Sequence, residues 1–423
     1  MTYGVTPRLL RSHTGKTSSL GDHQDLFSTR SRFNAMVELE KSGLLGRGGA
    51  GFETTRKVQL IRPLNGTHKV MVVNAMEGEP ASHKDAHLLQ LNPHLVLEGA
   101  EQLAQMIRAS RVIVAVAREN VAVIARVRTA IQERERMSRR ECTIELVMPP
   151  GRYVAGEESA LVHWLNDNEA LPQFRAQKPT ILTVGRRHPV LLDNAETCAN
   201  VALIARFGAE WFRSVGTASH PGTTLVSVSG GVDRPKVIEV ALGTKIRDIL
   251  QIANATPHIS ALVVGGYGGL VLGPEVLDLP YSNDGLSAAN ATVGAGILCP
   301  IPSTRCAIAE VHRVVHWMAN ESARQCGPCA FGLPALAEDL RILAYGLNGA
   351  REAVERLHAR SAVIEGRGAC RHPDGVVRFV RSALATLQGD IAAHREGRPC
   401  AGVAAAATLI VPAPVREEEM QWQ

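Results

Sequence analysis

The chain has 423 residues, 45% of them hydrophobic, and a formal net charge of +5. That length implies roughly two to four domains, and that apolar content can fill real cores, which excludes global disorder. The basic residues are scattered among acids rather than blocked, so no nucleic-acid footprint is present.

Residues 1–40 read as a polar, irregular N-terminal extension with one short helix around Arg32–Lys41. The N-terminus has no apolar core of signal-peptide length, and the longest apolar stretch, near the C-terminus, is alanine-rich and proline-broken, so no membrane insertion is expected. Eight cysteines in a long chain of this kind read as cytosolic thiols or metal ligands rather than a disulfide framework.

The stretch "SGLLGRGGAGFETTRK" (42–57) places five glycines in nine residues. Its spacing is not G-x-G-x-x-G. It leads into Thr54 and Thr55, a threonine cap for a following helix. A glycine loop feeding a helix N-terminus offers N–H groups to an anion, with a cation in reach; an ordinary flexible turn is the plainer alternative.

A regular alternation follows. "KVMVVNA" (69–75), "RVIVAVA" (111–117) and "TIELVMPP" (143–150) read as buried strands. Residues 93–110 and 119–137 read as the helices between them, the first with Pro93 in its first turn. Strand, helix, strand, helix, strand implies an α/β domain with a parallel sheet, whose ligands sit beyond the carboxyl ends of the strands. Glu77 and Glu79, with Asn74 and Lys84-Asp85 nearby, lie at such an end. So do Glu157 and Glu158 after Gly156, although paired acids also suit a helix N-terminus. "VLLDNAETCANV" places Asp193, Asn194 and Thr197 before a helix, by itself an N-cap signature.

From about 222 the period changes to two. "TTLVSVSGGV" and "KVIEVAL" flank a turn, then a helix and the strand "ALVVGGYGG" follow, which suggests a small α+β unit, a β-grasp. From 306 to 400 the pattern is almost wholly helical. It carries Cys326-Gly-Pro-Cys329, and Cys370 some forty residues on. A C-x-x-C can be a redox pair, half of a zinc site or part of an iron–sulfur site.

Taken in order, these segments resemble the NADH-binding flavoprotein subunit of respiratory complex I, with homologues in NAD-linked hydrogenases and formate dehydrogenases. The likeness runs from about residue 40 to 400. It implies a parallel-sheet FMN-binding α/β domain (41–218), a β-grasp domain (219–290), a helical bundle carrying an iron–sulfur site (291–400) and a tail (401–423). It also implies FMN, NAD(H) and a [4Fe–4S] or [3Fe–4S] cluster as cofactors. The expected FMN contacts are Gly46, Arg47, Gly48, Gly49, Lys57, Asn74, Glu77, Gly156, Glu157, Glu158, Asp193, Asn194 and Thr197. Phe52, Glu79 and Lys178 match dinucleotide contacts, with Glu79 and Glu158 orienting the reactants in a flavin-mediated reaction. Cys326, Cys329 and Cys370 match cluster ligands.

The chain departs from the pattern at Ala323, where the family has a fourth cysteine; Cys299, Cys306 or His372 could substitute. Met76 replaces an aspartate, and Leu60 and Ile181 replace two aromatics that clasp NADH. The implied activity is NAD(P)H oxidation with electrons passed to other redox subunits, among them a small ferredoxin-like iron–sulfur protein. The implied location is cytoplasmic, peripheral to a membrane complex. The competing expectation is a degenerate scaffold or regulatory subunit.

Overall fold

The computed structural model describes residues 6–13, 15–29, 33–64, 68–136, 142–174, 181–413 and 422–423. Helices α1 (Leu20–Leu26) and α2 (Ala35–Ser42) precede the glycine loop, and α3 (Thr54–Ile61) follows it. The expected threonine cap is not there: Glu53 holds the cap position and Thr54 and Thr55 are the first helical residues.

The α/β domain is built on β1 (Val70–Ala75), β2 (Arg111–Val116), β3 (Thr143–Val147), β4 (Thr183–Val184) and β5 (His188–Asn194). Its helices are α4 (Lys84–Leu91), α5 (Pro93–Ile107), α6 (Val121–Glu135), α7 (Glu158–Asp167) and α8 (Ala195–Arg213). The sheet order is β3-β2-β1-β5-β4, parallel except at the short edge strand β4. The almost wholly buried strands β1 and β2 follow from helices covering both faces. The chain moves outward from β1 to β3 and then returns to place β5 on the other side of β1. The switch point therefore lies between the carboxyl ends of β1 and β5, where Val73 pairs with Asp193 and Asn74 with Asn194.

A second sheet contains β6 (Thr223–Val228), β7 (Lys236–Ala241), β8 (Ile259–Val264), β9 (Leu270–Leu272) and β10 (Ile297–Pro302), ordered β7-β6-β10-β8-β9. Helix α9 (Ile246–Ile252) packs on one face with Val226, Val240 and Leu262. The expected boundary at 290 falls short, because the central strand β10 comes after it. A helical turn, α10 (Asn283–Leu286), precedes that strand. The bundle consists of α11 (Ala307–Asn320), α12 (Leu333–Ala344), α13 (Ala350–Ile364), α14 (His372–Thr386) and α15 (Gln388–Arg395). It shares one core with the other face of β8 and β10 through Val263, Ile301 and Phe379.

The N-terminal segment is not an irregular appendage. The N–H groups of Arg8, Leu9 and Leu10 each donate to the partly buried Glu239 carboxylate at 3.0 Å, and Leu9 is fully buried. Among the described residues no helix is long and apolar enough to cross a membrane.

Candidate functional site

One cavity of about 760 Å³ opens at the switch point. Its wall includes Gly46, Gly48, Phe52, Lys57, Asn74 and Asp193 as well as Cys370.

The glycine loop is closed by Gly46 N–H donating to Phe52 O (2.8 Å) and Thr54 N–H to Leu44 O (3.1 Å). Gly48 lines the cavity, and a Cβ there would stand 3.3 Å from Asn194 Cβ. Gly49 has φ 107°, a conformation side chains disfavour, but it faces the backbone of Gly294–Ala295 and not the cavity. Arg47 turns its guanidinium inward. Nη2 donates to Thr223 O (3.2 Å), Nε lies 3.9 Å from Glu196, and its N–H donates to Thr197 Oγ1 (2.9 Å). Arg47 and the buried Thr197 thus fasten the loop to α8 and β6, and the cation in reach of the loop is Lys57.

Lys57 Nζ donates to Glu158 Oε1 (3.0 Å) and Leu192 O (2.9 Å) and lies 3.7 Å from Asp193 Oδ1. Burial works against its charge, but Asp193 and Glu158 outweigh it and the pKa is raised. Asp193 is pushed up to about 6, by burial and then by Glu158, with Lys57 opposing. Its Oδ2 is buried and accepts no hydrogen bond among the described residues.

The acidic loop serves more than one purpose. Glu77, at φ 40°, accepts from Ser82 Oγ (2.7 Å) and from the N–H groups of Asp85 (2.9 Å) and Ala86 (2.8 Å), so its carboxylate caps α4. Burial and the neighbouring Asp85 push it up to about 7, against Lys84. Glu79 reaches the second sheet, where Tyr267 N–H donates to Oε2 (3.0 Å). Burial pushes it up to about 8, opposed by that bond and by the Tyr153 hydroxyl. Asn74 Nδ2 donates to Gly156 O (2.8 Å), joining this loop to the next. There Glu157 is the N-cap of α7, accepting from Ser159 N–H (2.9 Å) and Ala160 N–H (3.1 Å), and Glu158 turns toward Lys57.

Lys84 is the residue sequence reasoning undervalued. Its buried Nζ lies 2.8 Å from Asp85 Oδ1, 3.1 Å from Glu196 Oε2 and 3.2 Å from Asn194 Oδ1. Burial disfavours the ammonium, yet Asp85, Glu196 and Glu77 raise its pKa well above the ordinary value. Asn194 caps α8 through Glu196 N–H (3.0 Å) and donates to Asp85 Oδ2 (2.6 Å). The sequence puts Lys84 near the sheet's ligand edge, and only the fold brings Glu196 and Asn194 to it.

Of the expected dinucleotide contacts, Phe52 is exposed and stands in the cavity wall with Glu79. Leu60 and Ile181 are exposed and lie outside the cavity lining. Lys178 falls outside the described residues.

Cys326-Gly-Pro-Cys329 sits where a π-helical turn, Pro328–Gly332, enters α12, an irregularity frequent at functional sites. Burial, then the Cys326 thiol and then Cys370, push the Cys329 thiol far up, so both stand near it. Of the three candidate substitutes, Cys299 bonds Ser229 Oγ (3.2 Å) and Cys306 lies 3.8 Å from His394. His372 alone lines the cavity beside Cys370. Its Nε2 meets Met318 O (2.9 Å), its Nδ1 is buried without a partner among the described residues, and burial lowers its pKa to about 4.

The residues fit the implied groups. An open, glycine-walled cavity with the unpartnered Asp193 Oδ2 and the Lys57 ammonium suits a flavin nucleotide, and thiol donors suit an iron–sulfur cluster.

Comparisons with known proteins agree. Residues 39–203 match the Nuo51 FMN-binding domain, and residues 309–394 match the NADH-ubiquinone oxidoreductase-F iron-sulfur binding region. The NADH-quinone oxidoreductase F-subunit of Streptomyces coelicolor is 32% identical over 374 residues, covering 86% of this chain and 83% of its own. NADP-reducing hydrogenase subunit HndC of Solidesulfovibrio fructosivorans is 28% identical, covering 86% and 76%. The crystal structure of an NAD+-reducing [NiFe]-hydrogenase in the H2-reduced state superposes with a TM-score of 0.76 at 28% identity. It covers 87% of this chain, which spans 63% of that longer one.

Proposed function

The chain belongs to the NADH-quinone oxidoreductase F-subunit family, and on that premise we propose that it takes hydride from NAD(P)H onto FMN and sends electrons through an iron–sulfur cluster to a partner redox subunit. Membership makes it an oxidoreductase subunit whose cofactors are FMN, NAD(H) and an iron–sulfur cluster. The observation that carries the proposal is that the glycine loop and Cys370 line one and the same cavity.

Bound FMN supplies the conversion between two-electron and one-electron transfer. Gly46 and Gly48 would leave room for it, and Lys57, Asn74, Asp193 and Asn194 would hold its polar edge. Lys57 keeps its charge next to Asp193 and Glu158, so it can balance negative charge without moving a proton. Glu79 and Phe52 stand on the cavity wall, where they would serve as the dinucleotide contacts, and Glu158, partly exposed beside Lys57, would orient the reactants. Positioning of this kind supplies several kcal/mol of barrier lowering by fixing reactants in contact. Cys326, Cys329 and Cys370 would hold the cluster with one iron left to an outside ligand, since Ala323 has no donor atom. The partner we favour is a small ferredoxin-like iron–sulfur protein.

The test is anaerobic reconstitution followed by stopped-flow absorbance. FMN at one per chain, bleached by NADH, with iron and sulfide bound by the same chain, is the expected result. A chain that binds FMN but is not bleached by millimolar NADH or NADPH overturns the proposed activity.

A further inference from the structure

Cys306, His394 and Cys400 meet in the helical bundle at a place the flavin cavity does not reach. Cys306 is the N-cap of α11, His394 lies in the last turn of α15, and Cys400 follows six residues later. One ligand atom from each lies within 4.8 Å of the others; Cys306 and His394 are buried and Cys400 is half-buried. Cys306 Sγ is 3.8 Å from His394 Nε2.

The imidazole is already set for a metal. Its Nδ1 lies 3.2 Å from the carbonyl oxygen of Leu343. A carbonyl only accepts, so Nδ1 carries the proton and Nε2 presents its lone pair toward the thiols. A backbone carbonyl fixing the tautomer in this way is the usual outer support of a metal-bound histidine. Apart from the thiols, that lone pair meets only the Cys400 N–H, at 3.2 Å, among the described residues.

We propose that Cys306, His394 and Cys400 bind one zinc ion, with water in the fourth position. Thiolates with an imidazole are a zinc donor set, whereas calcium and magnesium require oxygen ligands. Zn–S bonds of ~2.3 Å and Zn–N bonds of ~2.0 Å give tetrahedral edges of roughly 3.5 to 3.8 Å, so the site needs only small adjustments to close. The ion enters as Zn²⁺ and displaces the two thiol protons to solvent, with no change of oxidation state.

The ion's work is structural. The chain beyond Cys400 is strapped across α11, where the N–H groups of Thr408 (2.7 Å) and Leu409 (3.1 Å) donate to Glu310. It continues to Ile410, whose carbonyl accepts from the Tyr267 hydroxyl at 2.6 Å. Zinc at Cys400 would fasten the start of this strap to the start of α11, the helix whose far end leads to Cys326. This inference is independent of the flavin chemistry.

The test is elemental analysis of the full chain, purified anaerobically without chelator, as wild type, Cys400→Ser and Cys329→Ser. We expect one zinc per chain in the wild type, lost in Cys400→Ser with iron and sulfide unchanged, and the reverse in Cys329→Ser. Because a serine variant could lose metal by misfolding, chelator-treated wild type is also titrated with cobalt(II). Intense tetrahedral d–d bands with thiolate charge transfer, abolished by one equivalent of zinc, support the site. Zinc that follows Cys329 instead, or a wild type that takes up neither zinc nor cobalt, overturns it. A Cys306–Cys400 disulfide found by mass spectrometry under the same anaerobic conditions overturns it as well.

Discussion

The flavin cavity and the Cys326–Cys329–Cys370 region are held together in opposite ways. In the cavity wall, polar groups from five elements meet one another. Lys84 on α4 meets Asp85, Asn194 and Glu196, and Lys57 on α3 meets Glu158 and Asp193. In the cysteine region Cys329 stands in the apolar core that holds Leu333 and Val376, with Cys326 packed against it. The first site is preorganised before anything binds, because breaking its pairs would strand buried charge. The second is completed by what binds, because buried neutral thiols are indifferent to their neighbours until a metal ionises them.

The largest effects fall on the second site. Cys329→Ser should abolish bound iron and sulfide while leaving FMN at one per chain, as measured by iron, sulfide and flavin content. Loss of FMN in the same variant would show that the two sites are one cooperative unit. Ala323→Cys should raise the iron retained after aerobic dilution toward four per chain.

Next is Lys84→Met. It leaves Asp85 and Glu196 buried without their cation, a loss of about 3–5 kcal/mol, read as a shift in the urea midpoint. A loss below about 1 kcal/mol would mean that the cavity wall is less preorganised than its geometry implies. Gly48→Val adds a branched side chain where a Cβ already stands 3.3 Å from Asn194. It should weaken FMN by tenfold or more, about 1.4 kcal/mol, in a fluorescence titration, with the urea midpoint little changed.

The two sites are also unequally legible in the sequence. Strands β1 to β3 and the helices between them follow from their apolar periods, and the position of the site follows from the sheet rule. The three cysteines and Asn194's cap are visible as spacing. Strand β10 is not, because "ILCPIP" carries two prolines, which argue against a central strand. The structure accommodates them because β10 pairs with β6 only at Ile297 and Leu298, before the first proline. The roles of Arg47, Glu77 and Lys84 are hidden for a different reason. Sequence places each near a ligand, yet Glu77 spends its carboxylate on capping α4, and Arg47 and Lys84 meet partners that arrive only when β5, β6 and α8 return to the loop.

The smallest expected effect tests whether the cavity wall is truly poised for a ligand. Asp193 titrates near 6 in the folded protein, above its ordinary value of 3.8, because burial and Glu158 outweigh Lys57. The native state therefore holds this proton more tightly than the unfolded chain does, and the stability it contributes is full below about 4 and lost as pH rises through about 6. Between pH 5 and 7 the apoprotein should lose about 1 kcal/mol from this group alone. Asp193→Asn should remove that part of the slope, seen as the difference between wild-type and variant urea midpoints at the two pH values. Bound FMN, by supplying a donor to the unpartnered Oδ2, should favour the carboxylate and shrink the wild-type slope as well. If FMN left the slope unchanged, Asp193 would not touch the flavin, and the polar edge of the cavity would have to be assigned to Asn74 and Asn194 instead.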